Sequence, residues 1–166
     1  MPMNNNYYPI QQPHDLPSKE KEEGMSAYFM MFASLAAGIP LPILNLVAAA
    51  IYYHTNKHKS RFVQFHSLQS LLSQLPVSLL NFGLVVWVIV LFRSDLDFSA
   101  WFVLYASITA IFNFVYMIFS IIAAIKARNG RMYYFIFFGN YCYEKVYKVR
   151  NIEEEKFRKE EENYGE

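Results

Sequence analysis

The amino-acid sequence predicts an all-α fold, a polytopic membrane helix bundle with three transmembrane helices and a C-terminal interfacial, amphipathic helix. Three observations lead there. Hydrophobic residues make up 54% of the 166 positions and aromatics 18%, against 17% charged, where a soluble domain carries about a quarter charged. The deficit falls in three blocks without Asp, Glu, Lys or Arg, Gly24–Tyr53, Phe62–Phe92 and Phe98–Ile125, which are 30, 31 and 28 residues long. Each exceeds the ~20 apolar residues that a helix needs to cross a bilayer. Finally, the linkers between blocks are short and the first is basic, as at a cytoplasmic membrane face. A soluble globule, a disulfide scaffold and a nucleic-acid-binding domain are excluded as first readings. Net charge is only +1, and the single cysteine, Cys142, forms no internal disulfide and supplies no metal cluster.

Residues 1–26 hold four prolines and an Asn/Gln run before the charged Lys19–Glu23 stretch, and are expected to be a disordered tail. The membrane domain covers 27–131, with spans at about 27–53, 66–92 and 98–125. The first block is too long for a signal-peptide core, and its acidic flank is of the wrong kind. It is interrupted by Gly38, Pro40 and Pro42. Proline removes a helix donor, and in lipid the freed carbonyls must find partners. The break is therefore read as one kinked span or as a re-entrant loop. A midplane binding site made of half-helices is the alternative to a packing kink, although that signal ordinarily comes in pairs. Ser34 and Gly38 form a small-xxx-small pair suited to close helix approach.

Linker 54–61 carries Lys57, Lys59 and Arg61 without an acid. At ~100° per residue the second block is two-faced in its first half. His66, Gln69, Ser70, Ser73, Gln74 and Asn81 fall on one side, and Leu and Phe on the other; from Gly83 it is apolar all round. The third block carries a polar stripe of Tyr105, Thr109, Asn113, Tyr116 and Ser120, continued by Ala123 and Ala127. Unpaired hydroxyls and amides in hydrocarbon cost several kcal/mol each, so the two polar faces are expected to meet in a seam. Such a seam is either inter-helix glue or the lining of a hydrated path. His66 is either an interfacial hydrogen-bonding residue or a proton relay, the latter without a carboxylate in any span to receive its proton. Lys126, Arg128 and Arg131, with Lys145, Lys148 and Arg150, form a basic flank that suits a cytoplasmic face or anionic lipid. The uncharged 132–143 stretch is too short to span and rich in Tyr and Phe, as at the lipid–water boundary. Residues 144–166 form a charged tail with Glu154–Arg158 and Glu155–Lys159 at helical spacing. Three crossings put the C-terminus in the cytoplasm and the N-tail outside, in a cell inner or plasma membrane.

Neither metalloprotease, nucleophile-elbow nor phosphate-loop patterns occur. No enzyme activity and no cofactor are expected, and the partners expected are the bilayer and either second copies or other membrane proteins. Phe65-His66 through Gln69-Ser70-Leu71 resembles a Phe-His-x-x-Gln-[Ala/Ser]-Leu helix start. Ala127 through Gly130 to Tyr133-Tyr134 resembles an Ala-x-x-Gly-x-x-Tyr helix ending. Both occur in the family of the twenty-kilodalton subunit of the translocon at the inner chloroplast envelope and in its small bacterial relatives. The resemblance covers roughly residues 27–140, and His66, Gln69, Gly130 and Tyr134 are the positions it carries over. It implies a translocation or permeation component working in an oligomer or complex. The alternative is a structural or accessory membrane subunit with no transport of its own.

Overall fold

The second and third blocks form the two long helices. In the computed structural model, which describes residues 7–36, 38, 42–94 and 99–149, α1 spans Ser18–Phe29, followed by a 3₁₀ turn at Met30–Phe32 and the short α2 at Ala33–Ala36. Then come α3 at Pro42–Asn56, α4 at Arg61–Ser94, α5 at Ala100–Arg128 and α6 at Gly139–Tyr147. Among the described residues the fold is all-helical, with one isolated antiparallel bridge between Tyr7 and Lys148.

The ends of α5 are written in its sequence. Ser99 caps its start, accepting from the Phe102 N–H at 3.2 Å. At its other end the Gly130 and Arg131 N–H groups return to the Ala127 and Lys126 carbonyls, a Schellman closure. Gly130 sits at φ +71°, in the left-handed region, and an added Cβ there would lie 3.0 Å from the Pro13 Cα.

The helices α4 and α5 are long and apolar enough to cross a membrane, with mean hydropathies of 2.4 and 2.3 in their most apolar stretches. Those stretches are only 6% and 28% buried, so they are not the core helices of a soluble protein, whose apolar surface is covered. The two helices run antiparallel. We call the end where α4 begins and α5 finishes the near end, and the Ser94/Ala100 end the far end.

The expected first span, 27–53, is not a single crossing. Gly38 takes φ +69°, a conformation through which a right-handed helix does not propagate, and Pro42 opens α3 at the position where its missing donor is harmless. Pro40 lies outside the described residues. The chain turns back, and the two arms of the resulting hairpin are tied together at the near end. The Tyr52 hydroxyl donates to the Glu23 carbonyl at 2.7 Å, and Lys59 pairs with the Glu23 carboxylate at 2.7 Å. A crossing would have put residues 23 and 59 on opposite sides of the bundle.

The expected disordered tail is also different over its described part. Residues 18–26 belong to α1, whose Gly24, Ala27 and Tyr28 are buried. Leu16 joins Tyr28, Phe62, Val63, Ala123, Ala124 and Ala127 in an apolar cluster. The Tyr8 N–H donates to the Tyr147 carbonyl at 2.8 Å, and the Arg61 guanidinium lies 3.3 Å over the Tyr8 ring. Residues 132–143 run as a non-helical arm to a turn at 136–138 and continue into α6, which packs Cys142, Val146 and Tyr147 on Phe65 and Leu68. The helical pairs Glu154–Arg158 and Glu155–Lys159, and Arg150, lie outside the described residues.

Candidate functional site

The polar face of α4 is turned inward at the near end. His66, Gln69, Ser70, Ser73 and Gln74 are all buried, and α1 supplies their first partners. The Gln69 amide nitrogen donates to the Tyr28 hydroxyl at 2.9 Å and to the Tyr133 carbonyl at 2.8 Å, while its oxygen accepts from the Phe135 N–H at 3.3 Å. That three-way pairing fixes the orientation of the amide. The Tyr28 hydroxyl also lies 2.9 Å from His66 Nδ1, which ties the imidazole to the same hub. Nε2 has no hydrogen-bond partner and the ring is enclosed by Phe62 and Phe65, with centroids 4.5 and 5.1 Å away. The Ser70 hydroxyl donates to the Ala27 carbonyl at 2.7 Å.

Gln69 thus does for the aromatic arm what a neighbouring strand would do. It satisfies one backbone donor and one acceptor of a chain that has no helix to satisfy them. Burying the arm without it would leave both groups unpaired, at a cost of about 1–3 kcal/mol each.

Deeper along the seam, Asn81 and Asn113 exchange reciprocal amide bonds at 3.0 Å, and the Tyr105 hydroxyl donates to the Leu80 carbonyl at 2.9 Å. Between these two levels lies a cavity of about 50 Å³, lined by Met31, Asn45, Gln74, Asn81, Asn113 and Tyr116 among others. Gln74 Oε1 and the Tyr116 hydroxyl, both buried, have no protein hydrogen-bond partner. Ser73, Gln74 and Ser120 are the polar neighbours of that hydroxyl. Thr109 and Ser120 are buried with unpartnered hydroxyl oxygens. The volume suits about one or two water molecules.

All the seam residues expected from the sequence therefore face the α4–α5–hairpin interior. Tyr28, the Ala27 carbonyl, Asn45 and the backbone of Tyr133 and Phe135 were not anticipated. The i, i+3, i+4 spacing of Gly24, Ala27 and Tyr28 was the available signal for α1. Of the helix-break residues, Gly38 is exposed and Pro42 opens α3. Of the basic flank, Lys59 and Arg128 pair with Glu23 and Glu22 at 2.7 Å, and Arg61 rests on Tyr8. Lys57 lies 3.4 Å from His54 Nδ1. Lys126 and Arg131 flank the closure of α5 through their backbones. Cys142 is fully buried, and burial pushes its thiol up to about 12, so it is neither a thiolate ligand nor an open acylation site. Among the described residues no group of three or more His, Cys, Asp or Glu side chains is placed to hold a metal ion.

Two long lipid-facing helices carrying a polar hub at one end define a small helical membrane protein. Over residues 22–140 the chain matches the magnetosome magnetite crystal formation protein family, and it belongs to that family. No curated protein and no solved structure matches it. Family membership overturns the resemblance to the chloroplast translocon subunit and, with it, the expectation of an import or translocation component. The structure supplies the physical reason why the two motifs misled. Gln69 is a packing hub, Gly130 a helix terminator, and the Tyr134 ring sits 5.4 Å from Phe65. They report an architecture, and architecture does not specify activity.

Proposed function

We propose that the protein resides in the magnetosome membrane and acts in magnetite crystal formation as a non-enzymatic membrane scaffold, with α4 and α5 crossing the bilayer and both termini on the cytoplasmic side. The observation that carries this reading is the closure of the seam. Side-chain hydrogen bonds hold it at both ends, around Gln69 and at the Asn81–Asn113 pair, and the polar cavity between them is about 50 Å³, enough for about one or two waters and not for a path that passes hydrated cations. The orientation rests on the near end, which gathers Lys57, Lys59, Arg61, Lys126, Arg128 and Arg131, and cations of short loops stay in the cytoplasm. The hairpin keeps the N-terminus on that same side. Its working partners on this reading are lipid and second copies or other membrane proteins.

Two measurements test it. Tags at both termini should be cleaved together by protease added to sealed cytoplasm-side-out vesicles. Removing the protein from a magnetite-forming cell should change crystal size while total cell iron stays constant. Unchanged crystals overturn the scaffold role, and a fall in iron content in step with the crystals points instead to transport.

A further inference from the structure

We propose that the protein is a single-leaflet wedge that recognises curved lipid, favouring a bilayer convex toward the side bearing both termini; this rests on the membrane reading above. At 1.5 Å per residue, the last twenty residues of α4, 75–94, cover the ~30 Å of a hydrocarbon core. That places the near boundary at the level of Leu75. Two apolar elements meet it. The first is the hairpin. Met31 and Asn45, on its two arms, share the cavity with Gln74 and Asn81, within ~9 Å of the boundary along α4. Along α3, Ile43, Val47 and Ile51 recur every fourth residue and are exposed, an apolar stripe turned outward. The second is the aromatic turn, whose Ile136 and Phe137 are 81% and 84% exposed. They border an apolar groove with Pro76 and Phe119, again at the boundary.

Among the described residues, the far ends of α4 and α5 meet each other without either element between them. Trp87 packs edge-on against Phe102 and tilted against Tyr105 of α5, with centroids 5.8 and 5.6 Å apart. Phe92 and Trp101 are 80% and 73% exposed. The molecule is broad in one leaflet and two helices wide in the other. Apolar elements seated ~5–10 Å into a leaflet make membrane binding curvature-sensitive, because spreading that leaflet relieves the crowding they cause.

The test uses the full-length, fluorescently labelled protein in giant vesicles of phosphatidylcholine and phosphatidylglycerol, from which narrow tubes are drawn. Orientation is read by protease cleavage of a C-terminal tag. Molecules with termini outside should be about twofold denser in the tube than in the parent membrane, the scale set by modest bilayer-strain costs, and those with termini inside should be depleted. An Ile136→Ser/Phe137→Ser double variant alters only exposed side chains, so it keeps the fold and should lose part of the enrichment. Equal density in tube and parent, or enrichment regardless of orientation, overturns the wedge. Release of the protein by alkaline carbonate overturns the membrane reading itself, a separate outcome.

Discussion

Within one helix, α4, residues from Phe62 to Gln74 are mostly buried and half of them are polar, whereas Phe82, Val86, Ile89, Val90 and Phe92 are apolar and exposed. The near half is held by directional bonds among Gln69, Tyr28, Ser70 and the aromatic arm. The far half meets α5 through aromatic contacts and one asparagine pair and gives the rest of its surface to lipid. The difference lies in what each half must exclude. In the near half irregular backbone from three segments is packed together, so every amide needs a partner. In the far half both backbones are self-satisfied helices and side chains need only be compatible with hydrocarbon. Substitutions should therefore be costly in the near half and tolerated in the far half, and five measurements by denaturant or thermal unfolding in mild detergent sharpen or break that contrast.

Gln69→Leu should be the most damaging. It strips partners from the Tyr28 hydroxyl, the Tyr133 carbonyl and the Phe135 N–H, at about 3 kcal/mol or more in sum. A loss under about 1 kcal/mol, the scale of one net hydrogen bond, would mean that water replaces the amide and that the hub is not dry. Gly139→Ala comes next. Its Cβ would lie 2.6 Å from Tyr134 Cβ and 2.7 Å from Tyr134 Cα, and a backbone cannot swing aside, so overpacking should cost about 1–3 kcal/mol.

In the far half, Gly83→Ala makes the instructive counterpart. The clash is closer, 2.5 Å, but it is with the Tyr105 hydroxyl, the free end of a side chain. Losing the bond to the Leu80 carbonyl costs about 1 kcal/mol, and the gain in helix propensity over glycine returns about as much. A net change near zero is expected, and a loss as large as that of Gly139→Ala would erase the contrast. Asn81→Leu alone should cost about 0.6 kcal/mol or somewhat more, and adding Asn113→Leu should recover most of it. Glu22→Ala should change stability by only about 0.5 kcal/mol or less, because its pair with Arg128 is about half exposed on both sides, and added salt should remove even that.

The same contrast explains what could be read from the chain. The α4 face was legible because His66, Gln69, Ser70, Ser73 and Gln74 keep helical register in a block otherwise apolar, and the α5 stripe through Thr109, Tyr116, Ser120 and Ala127 was legible for the same reason; all of these are buried. The hairpin was legible only as an alternative, the re-entrant loop that Gly38, Pro40 and Pro42 allowed beside a kinked span. Hydropathy measures only how willingly a segment leaves water, and Ala27–Tyr53 scores as a span whether it crosses or turns back. What decides is the pairing of Glu23 with Lys59 and Tyr52, contacts that no local window contains. Residues 7–17 looked like a tail because their anchors, Tyr8 and Leu16, are isolated and find partners as distant as Tyr147 and Ala127. Family motifs failed at the last step for a related reason, since Gln69 and Gly130 are demanded by the fold whatever the fold is used for.

The joining of Tyr8 to Tyr147 sets an order on biogenesis. A ribosome releases the amino-terminal arm long before Tyr147 has been made, so for most of translation the arm has only the start of α4 to rest on. The long helices can enter the bilayer as they emerge, but the lock between beginning and end closes only after synthesis has passed residue 147. A stalled or truncated product lacking α6 would be inserted yet left unlatched, with Phe65 and Leu68 uncovered, and quality-control proteases would have a ready handle on it.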